Sequence, residues 1–372
     1  MPQLSPFCLI EDRETGGTQL FAEPRSIILA HSAAEVAPAL AAIQEASEAG
    51  FHVAGAMAYE CGFVFEPRLP PPLLAGRGKP LLQFGVFDAP RVWAPAEEGF
   101  AAVEDLAPLW SFEDYRRRFD ICRDYILAGD IYQINLTFPF SGRACGDPLD
   151  LYRLLRMRQP VQLGGIVALG GETILSLSPE KFFTTEGRRI VTRPMKGTAP
   201  RGVTPEEDAA LARALAQSEK NRAENLMIVD LLRNDLSRLS VVGSVTVSDL
   251  FSVETFPTLH QMTSGVEALL RPGLSVAEIF AGLFPCGSVT GAPKIRAMEI
   301  IAELETASRE NYCGAIGTIS PNGDMRFNVA IRTLTLDGQG GLVCPVGSAI
   351  VADSQAREEY EECLLKARFL TD

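Results

Sequence analysis

The chain has 372 residues, of which 47% are apolar and 22% charged, as in a soluble globular protein of one large domain or two ordinary ones. Its formal net charge of −13 argues against a nucleic-acid-binding protein and against a basic membrane-surface protein. No apolar run is long enough to span a membrane. The eight cysteines include no CxxC pair and there are three histidines, so we expect reduced thiols in the cytoplasm and no zinc site.

The first third of the chain predicts short strands and turns around one alanine-rich helix at residues 33–49. Loops are predicted at residues 67–78 and 90–98. A second helix is predicted to start after Ser111, as its N-cap, and to end near residue 128. A strand at residues 130–140 follows. Two hairpins are then predicted, one turning at Gly170 and Gly171 and one at Gly187.

Residues 192–202, TRPMKGTAPRG, predict a shaped turn, because two prolines and two glycines punctuate them. Gly197 has no Cβ, so a ligand can approach the backbone there, and the Thr198 side chain is suited to hold a carboxylate. Lys196 projects an amine into the same space. Desolvation would lower its pKa and make it a nucleophile. The alternative interpretation is a surface turn with a solvated lysine.

The longest predicted helix spans residues 206–237, and its second half is apolar on almost every side, which predicts burial. Asp230 and Arg233 have the i,i+3 spacing of an ion pair. Glu224 has only Asn221 nearby on its own face, so it needs a metal, a partner or solvent. A structural ion-pair network and a functional site are both compatible with this pattern.

Residues 241–247 and 252–263 have strand character, and the second stretch carries His260. A short helix is predicted at residues 275–283. The glycine-rich segment FPCGSVTGAPK, residues 284–294, lacks the Walker spacing, so it predicts a structural turn before a helix at residues 293–304.

The C-terminal part predicts a hairpin at residues 311–320 and 325–336, carrying Tyr312 and Arg332, and a last helix at residues 354–370. A buried arginine on a strand requires a carboxylate. In the last helix, Glu359, Glu362 and Lys366 share a face that periodicity alone assigns to solvent. Carboxylates on two helices, in a chain with few histidines, suit Mg²⁺, which would in turn hold a carboxylate of an anionic substrate.

Eight stretches, in order along the chain, resemble the chorismate-utilising enzyme family. They are GDIYQINL (129–136), SPEKFF (178–183), RPMKGTAPRG (193–202), KNRAENLMIVDLLRNDL (220–236), FPCGSVTGAPKIRAMEII (284–301), YCGAIG (312–317), FNVAIRTL (327–334) and IVADS (350–354) continuing to Glu362 and Lys366. The first hundred residues match only loosely. The resemblance therefore divides the chain into an N-terminal portion, residues 1–105, packed onto a chorismate-binding catalytic core, residues 106–372.

The resemblance implies an α+β fold of two large, mainly antiparallel sheets packed as a sandwich, with helices outside. It also implies roles for individual residues. The implied catalytic residues are Lys196, Glu180 as a general acid/base and His260 near the departing hydroxyl. The implied substrate-binding residues are Gly197, Thr198, Tyr312, Arg332, Gly347, Ser348, Ala349 and Lys366. The implied Mg²⁺ ligands are Glu224 and Glu362, with Glu359 and Asn221 acting through water.

Lys196 is the discriminating position within the family, because members that aminate chorismate to 4-amino-4-deoxychorismate carry lysine there, whereas anthranilate synthases carry alanine. The resemblance thus implies amination of chorismate through a covalent Lys196 adduct, in folate and para-aminobenzoate synthesis. Ammonia would come from a separate glutamine amidotransferase subunit, in a heterodimer. The alternatives are anthranilate formation, isochorismate formation and a non-catalytic relative that only binds chorismate. One departure concerns Ala349, which stands where the family usually has glycine.

Overall fold

Two ten-stranded antiparallel sheets frame the computed structural model, which describes residues 6–12, 17–69, 79–93, 99–161, 163–256 and 259–371. In spatial order, sheet A contains β16 (Gly291–Ala292), β8 (Gln133–Gly146), β20 (Gly341–Ile350), β19 (Thr333–Leu336), β10 (Glu172–Ser178), β9 (Leu163–Gly170), β1 (Phe7–Asp12), β2 (Gly17–Ala22) and β6 (Arg91–Val92), and β7 (Ala101–Pro108) pairs with β8. Sheet B contains β13 (Met195–Pro200), β15 (Leu259–Leu269), β12 (Arg189–Arg193), β11 (Lys181–Glu186), β18 (Met325–Val329), β17 (Ala315–Ile319), β4 (His52–Met57), β5 (Leu82–Phe87) and β3 (Ser26–Ala30), and β14 (Thr246–Thr255) pairs with β15.

The helices of the described residues cover the outer faces of the sheets. They are α1 (Ala33–Glu48), α2 (Cys61–Phe65), α3 (Phe112–Leu127), α4 (Pro148–Arg158), α5 (Pro205–Gln217), α6 (Glu219–Ser237), α7 (Val276–Leu283), α8 (Lys294–Leu304) and α9 (Ala356–Ala367). None of them is both long and apolar enough to cross a membrane. All eight cysteines are free thiols.

The inner faces of the two sheets meet in an apolar layer, because side chains alternate between the faces of each strand. This layer consists of Cys8, Phe21, Ala54, Ala56, Phe87, Val167, Leu169, Ile174, Ile316 and Ala330. A larger core lies between sheet B and its helices. The predicted sandwich of two antiparallel sheets with helices outside is confirmed.

Strands from the first 105 residues belong to both sheets. β1 pairs with β9 in sheet A, and β4 pairs with β17 in sheet B. The boundary at residue 105 stays a prediction. Most of the loop predicted at residues 67–78, and part of the one at residues 90–98, lie outside the described residues.

Two chain crossings between the sheets lie side by side and position part of the site. The first crossing leads from β10 to β11 through Glu180, and the second from β18 to β19 through Arg332. The Val329 N–H donates to the Glu180 carbonyl over 3.0 Å, and the Leu177 N–H donates to the Arg332 carbonyl over 3.0 Å. Residues far apart in sequence therefore meet at one seam between the sheets.

Several local predictions are confirmed. Ser111 caps α3 by accepting a hydrogen bond from the Asp114 N–H. The first hairpin turns at Gly170 and Gly171, both with positive φ. Asp230 and Arg233 form the predicted ion pair, with Nη1 2.7 Å from Oδ1.

Other local predictions are wrong. The helix at residues 206–237 is broken at Ser218, whose hydroxyl caps α6 by accepting from the Asn221 N–H. The second half of α6 buries one face only, and Leu226 is 44% exposed. The strand predicted from residue 241 begins at Thr246. The strand predicted over residues 325–336 breaks at the second crossing, where Arg332 has φ +48°.

Candidate active site

Lys196 and Gly197 lie in an irregularity of β13, where the register with β15 shifts between Met195 and Thr198. The predicted turn is therefore wrong. The backbone stays in the sheet because the residues after the irregularity pair again with β15. Gly197 has φ +84°, and a Cβ there would lie 2.9 Å from Asn221 side-chain atoms. The glycine thus allows both the backbone conformation and the close approach of α6.

Gln261, which the sequence analysis missed, braces this irregularity from β15. Its Nε2 donates to the Gly197 carbonyl over 2.8 Å, and its Oε1 accepts from the Thr198 hydroxyl over 3.0 Å. Its position opposite Thr198 follows from the strand register, which the sequence pattern did not reveal.

Four charged groups act on the Lys196 amine, and they come from α6, from α9 and from the crossing that carries Glu180. Burial lowers the pKa of Lys196 below its ordinary value, against the raising effect of the Glu180 carboxyl. The Lys366 ammonium lowers this pKa further, and Glu224 and Glu362 raise it. The structure therefore favours an amine that can act as a nucleophile over the alternative of a solvated lysine.

Glu180 is 4% exposed at the seam between the sheets. Burial raises the pKa of Glu180 to about 7, although the Ser288 hydroxyl and the Lys196 ammonium act in the opposite direction. Its Oε1 is buried and has no hydrogen-bond partner. A carboxyl group of this kind can donate or accept a proton near neutral pH. Ser288 belongs to the segment predicted as a structural turn, and only the tertiary structure brings it to Glu180.

Arg332 and Tyr312 act on each other and supply a guanidinium and a neutral phenol to the site. Arg332 is part-buried, and its guanidinium has no carboxylate partner among the described residues. Burial lowers the pKa of Arg332, whereas burial raises the pKa of Tyr312 well above its ordinary value, so the phenol stays a proton donor. The carboxylate that a buried arginine requires is thus not supplied by the described part of the chain.

The backbone of β20 presents an edge to Lys366, whose Nζ donates to the Gly347 carbonyl over 2.9 Å. The facing residues Asn135 and Thr137 send their N–H groups away from β20, to the Thr290 carbonyl and the Glu305 carboxylate. In an antiparallel pair, two residues directly opposite each other either both turn their N–H groups toward the partner strand or both turn them away. Gly347 lies opposite Thr137 and Ala349 opposite Asn135, so both turn their N–H groups away from β8. Two N–H donors therefore face the free edge beside Lys366.

Ser348 and Ala349, which are also predicted to bind the substrate, have different surroundings in β20. The hydroxyl of Ser348 lies 2.9 Å from that of Tyr115, on the opposite face of the sheet from Gly347. Ala349 pairs with Asn135 in regular strand and has no positive φ. Alanine is consequently accommodated here without strain, although the family usually has glycine.

The four predicted metal ligands lie on α6 and α9. The Glu224 carboxylate has no hydrogen bond or ion pair with any described residue. Asn221 donates its Nδ2 to the Ser218 hydroxyl over 2.9 Å, which leaves Oδ1 as an acceptor. No group of three or more histidine, cysteine or acidic side chains in the described ranges is arranged to hold a metal ion.

Glu359 and Glu362, the two predicted metal ligands of α9, have pKa values shifted in opposite directions. Burial raises the pKa of Glu359, against a hydrogen bond from the Ser354 hydroxyl. Partial burial would also raise the pKa of Glu362, but the ammonium groups of Lys366, 2.6 Å away, Lys196 and Lys220 together hold this pKa below its ordinary value. The prediction that this face of α9 is exposed to solvent is therefore only partly right, since Glu359 is part-buried and the Glu362 side chain is 50% exposed.

His260 is 1% exposed and both its ring nitrogens are engaged. Nδ1 lies 3.0 Å from the Thr255 hydroxyl and Nε2 lies 2.9 Å from the Asp208 carboxylate. Asp208, which the sequence analysis missed, also pairs with Arg201. The role of His260 near a departing hydroxyl stays a prediction.

We expect Gly197→Ala to destabilise the fold by about 2 kcal/mol and to lower activity, because the Cβ adds strain at positive φ and displaces Asn221. Gly187→Ala is a matched control, since Gly187 has φ +56° with nothing within 4 Å of its Cβ position. It should cost about 1 kcal/mol and leave activity unchanged. Urea unfolding and steady-state assays measure both, and equal effects of the two changes would contradict the contact with Asn221.

Known proteins resemble this chain over most of its length. The family model of chorismate binding enzymes matches residues 93–372. Aminodeoxychorismate synthase component 1 of Escherichia coli (strain K12) is 42% identical over 288 residues, covering 76% of this chain and 63% of that protein. Anthranilate synthase component 1 of Thermus thermophilus is 41% identical over 261 residues, covering 70% of this chain and 56% of that protein.

A solved structure extends the similarity to the whole fold. Anthranilate synthase component I from Streptococcus pneumoniae TIGR4 superposes with a TM-score of 0.80 at 28% identity, covering 100% of this chain and 91% of that one. The chain spans less than two thirds of the length of the two curated relatives. On the family match and these identities, the chain belongs to the chorismate binding enzymes.

Proposed function

We propose that the chain is aminodeoxychorismate synthase component 1, which converts chorismate and ammonia to 4-amino-4-deoxychorismate and water, for folate and para-aminobenzoate synthesis. Identities of 42% and 41% to an aminodeoxychorismate synthase and an anthranilate synthase do not separate those two reactions. The observation that carries the proposal is Lys196, a part-buried amine whose pKa is lowered by burial and on which the Glu180 carboxyl acts. A chorismate enzyme without a covalent step has no use for a lysine nucleophile at this position.

In the proposed reaction, the neutral Lys196 amine attacks C2 of chorismate while the C4–O bond breaks. Glu180 gives its proton to the departing hydroxyl, which leaves as water, and the resulting Glu180 carboxylate takes up the proton that the Lys196 nitrogen carries after forming the adduct. Ammonia then attacks C4 while the bond from C2 to Lys196 breaks. Glu180 gives a proton to the departing Lys196 nitrogen, which leaves as a neutral amine, and then takes one proton from the ammonium formed at C4, so that both residues return to their starting forms. Arg332 and Tyr312 would hold the pyruvyl carboxylate of the substrate throughout.

We predict that kcat/KM for chorismate changes slope near pH 7, because Glu180 loses there the proton that it would give to the departing hydroxyl. Since burial raises this pKa, the proton-donating form persists to a higher pH than for an ordinary glutamate. The measurement is the pH profile of the wild type and of Glu180→Gln, which should lack the change. A slope change that survives in the variant would assign the titration to another group.

Mg²⁺ is proposed as the cofactor, held by Glu224 and Glu362 directly and by Glu359 and Asn221 through water. The unpartnered Glu224 carboxylate and the acceptor Oδ1 of Asn221 fit an oxygen-preferring ion. When bound, Mg²⁺ would supply positive charge that holds the ring carboxylate of chorismate and draws electron density from the ring. Lys366 would neutralise part of the charge of Glu362 beside it.

Glu224→Gln should weaken Mg²⁺ binding about 10- to 100-fold, because glutamine supplies no charge to the ion. Isothermal titration calorimetry with Mg²⁺, in the presence of chorismate, measures the affinity. Glu358→Gln is the control, since Glu358 is an exposed acidic residue of α9 next to the proposed ligand Glu359. Equal Mg²⁺ affinity in both variants would remove Glu224 from the metal site.

A glutamine amidotransferase is proposed as the partner that delivers ammonia, in a heterodimer. The designation component 1 of the Escherichia coli relative supports a second component. We also propose the cytoplasm as the location, because the buried free thiols suit a reducing compartment.

The test is mass-resolved product analysis after incubation of the chain with chorismate, Mg²⁺ and an ammonium salt at mildly alkaline pH. 4-Amino-4-deoxychorismate supports the proposal. Anthranilate would assign the chain to another reaction of the family. Isochorismate alone would make water the nucleophile and remove the case for an amidotransferase. No turnover, even with an amidotransferase supplied, would indicate a non-catalytic relative.

A further inference from the structure

Arg309, to which no role is assigned above, is 3% exposed and lies just before Tyr312 in the chain. Its guanidinium forms a two-point ion pair with Glu305, with Nε 2.8 Å from Oε2 and Nη2 2.6 Å from Oε1. The remaining donors reach two backbone carbonyls, since Nη1 donates to Val289 and Nη2 to Asn135, each over 2.8 Å. The planar group also lies over the Tyr59 ring, 4.6 Å from its centroid.

Each acceptor of this guanidinium belongs to a different part of the site. Val289 follows Ser288, whose hydroxyl acts on Glu180. Asn135 faces Ala349 in the β8–β20 pair, at the edge that carries the two outward N–H groups. The carbonyl of Arg309 itself accepts from the Tyr312 N–H over 3.0 Å. Arg309 therefore joins the acid/base group and the β20 edge through its side chain, and the carboxylate-binding segment through its backbone carbonyl.

Glu305 extends the same connection to Thr137. Its Oε1 accepts from the Thr137 N–H over 2.9 Å. The Thr137 hydroxyl is buried without a partner and lies 2.7 Å from the position that a Cβ of Gly347 would occupy. The backbone of Arg309 is also held, because its N–H donates to the Glu60 carboxylate over 2.8 Å.

A buried ion pair of this kind contributes little to the stability of the fold, because the desolvation of the two charges cancels much of their attraction. A protein with apolar residues of similar volume at these positions is often as stable. Its planar fork is instead suited to fixing several acceptors at defined distances. We propose that Arg309 and Glu305 are positioning residues for the chorismate reaction, which hold the Ser288 segment, the Tyr312 segment and the β8–β20 edge in register around the substrate. This proposal rests on the proposed function.

The test compares two doubly substituted chains that each lose a buried or half-buried ion pair without leaving a lone charge. The first is Arg309→Met with Glu305→Gln. The control is Arg156→Met with Glu11→Gln, because Arg156 and Glu11 pair over 2.6 Å between α4 and β1, two elements that carry none of the site residues named above. Measured quantities are kcat and KM for whichever product the wild type forms from chorismate, and hydrogen–deuterium exchange of peptides covering residues 133–138 and 286–292.

We expect the first double variant to stay folded, to lose about 100-fold in kcat/KM and to exchange faster in both peptides, because displaced binding groups cost reaction geometry. The control should keep kcat/KM and the exchange of these peptides. Arg309→Lys should remain at least about tenfold below the wild type, since an ammonium keeps the charge but not the fork.

A folded double variant with kcat/KM and exchange near those of the wild type would overturn the proposal. If the double variant does not fold, Arg309→Lys decides, and its full activity would show that charge alone suffices. If the wild type forms no product from chorismate, the proposed function fails. The inference is then judged by the exchange of the two peptides and by calorimetric chorismate binding, both of which it predicts to change in the double variant only.

Discussion

Lys196→Ala should lower the formation of 4-amino-4-deoxychorismate at least about 10³-fold, because the variant loses the nucleophile of the covalent step. The Lys366 ammonium, which acts on Lys196, is not free to replace it, because it is held by the Glu362 carboxylate and the Gly347 carbonyl. Mass-resolved product analysis with saturating ammonium measures the loss.

The adduct itself provides a second, independent readout. Wild-type chain mixed with chorismate in the absence of ammonia should gain the mass of chorismate less water, and Lys196→Ala should not. Lys220→Ala is the matched control for lost positive charge, because Lys220 is an exposed α6 lysine whose charge reaches Glu362. Undiminished amination by Lys196→Ala would refute covalent catalysis at this residue.

Arg332→Met should raise the KM for chorismate about 100-fold and leave the ligand-free chain at least as stable as the wild type. The first effect follows because a buried arginine that pairs with a substrate carboxylate contributes strongly to binding. The second follows because Arg332 has no acidic partner among the described residues, so its removal relieves the cost of a desolvated charge, by about 1 kcal/mol. Arginine and methionine bear the same backbone strain at position 332, where φ is +48°, so this strain does not contribute to the difference in stability.

Arg326→Met is the matched control, because Arg326 lies on β18, just before the crossing that carries Arg332, and pairs with Asp12 over 3.1 Å. It should keep the KM and lose roughly 0.5 kcal/mol of stability, the value of a part-exposed ion pair. Steady-state kinetics and urea unfolding of both variants make the comparison. A large loss of stability in Arg332→Met with an unchanged KM would assign Arg332 to the fold and not to the substrate.

The local predictions from the sequence are confirmed where a few neighbouring residues determine the structure. The Ser111 cap, the turn at Gly170 and Gly171 and the Asp230–Arg233 pair each involve groups within four residues of one another. Ser218 carried the same kind of signal, a serine three residues before Asn221, but the apolar periodicity on both sides concealed the break between α5 and α6.

Properties of the site that depend on distant groups were not accessible from the pattern. The turn predicted at Lys196 is an irregular strand because β15, more than sixty residues later, supplies the pairing partners. The predicted strand through Arg332 breaks because the chain passes there from sheet B to sheet A. Neither partner is visible in the local sequence.

The sequence by itself determined the residue types of the site and, through the order of eight stretches, the family and its sandwich fold. The tertiary structure alone decided how those residues behave. Burial lowers the pKa of Lys196 and raises that of Glu180. Burial also lowers the pKa of Arg332, which has no acidic partner among the described residues. Desolvation is a property of everything packed around a group, most of which is remote in the chain, so it cannot be read from the neighbours in sequence.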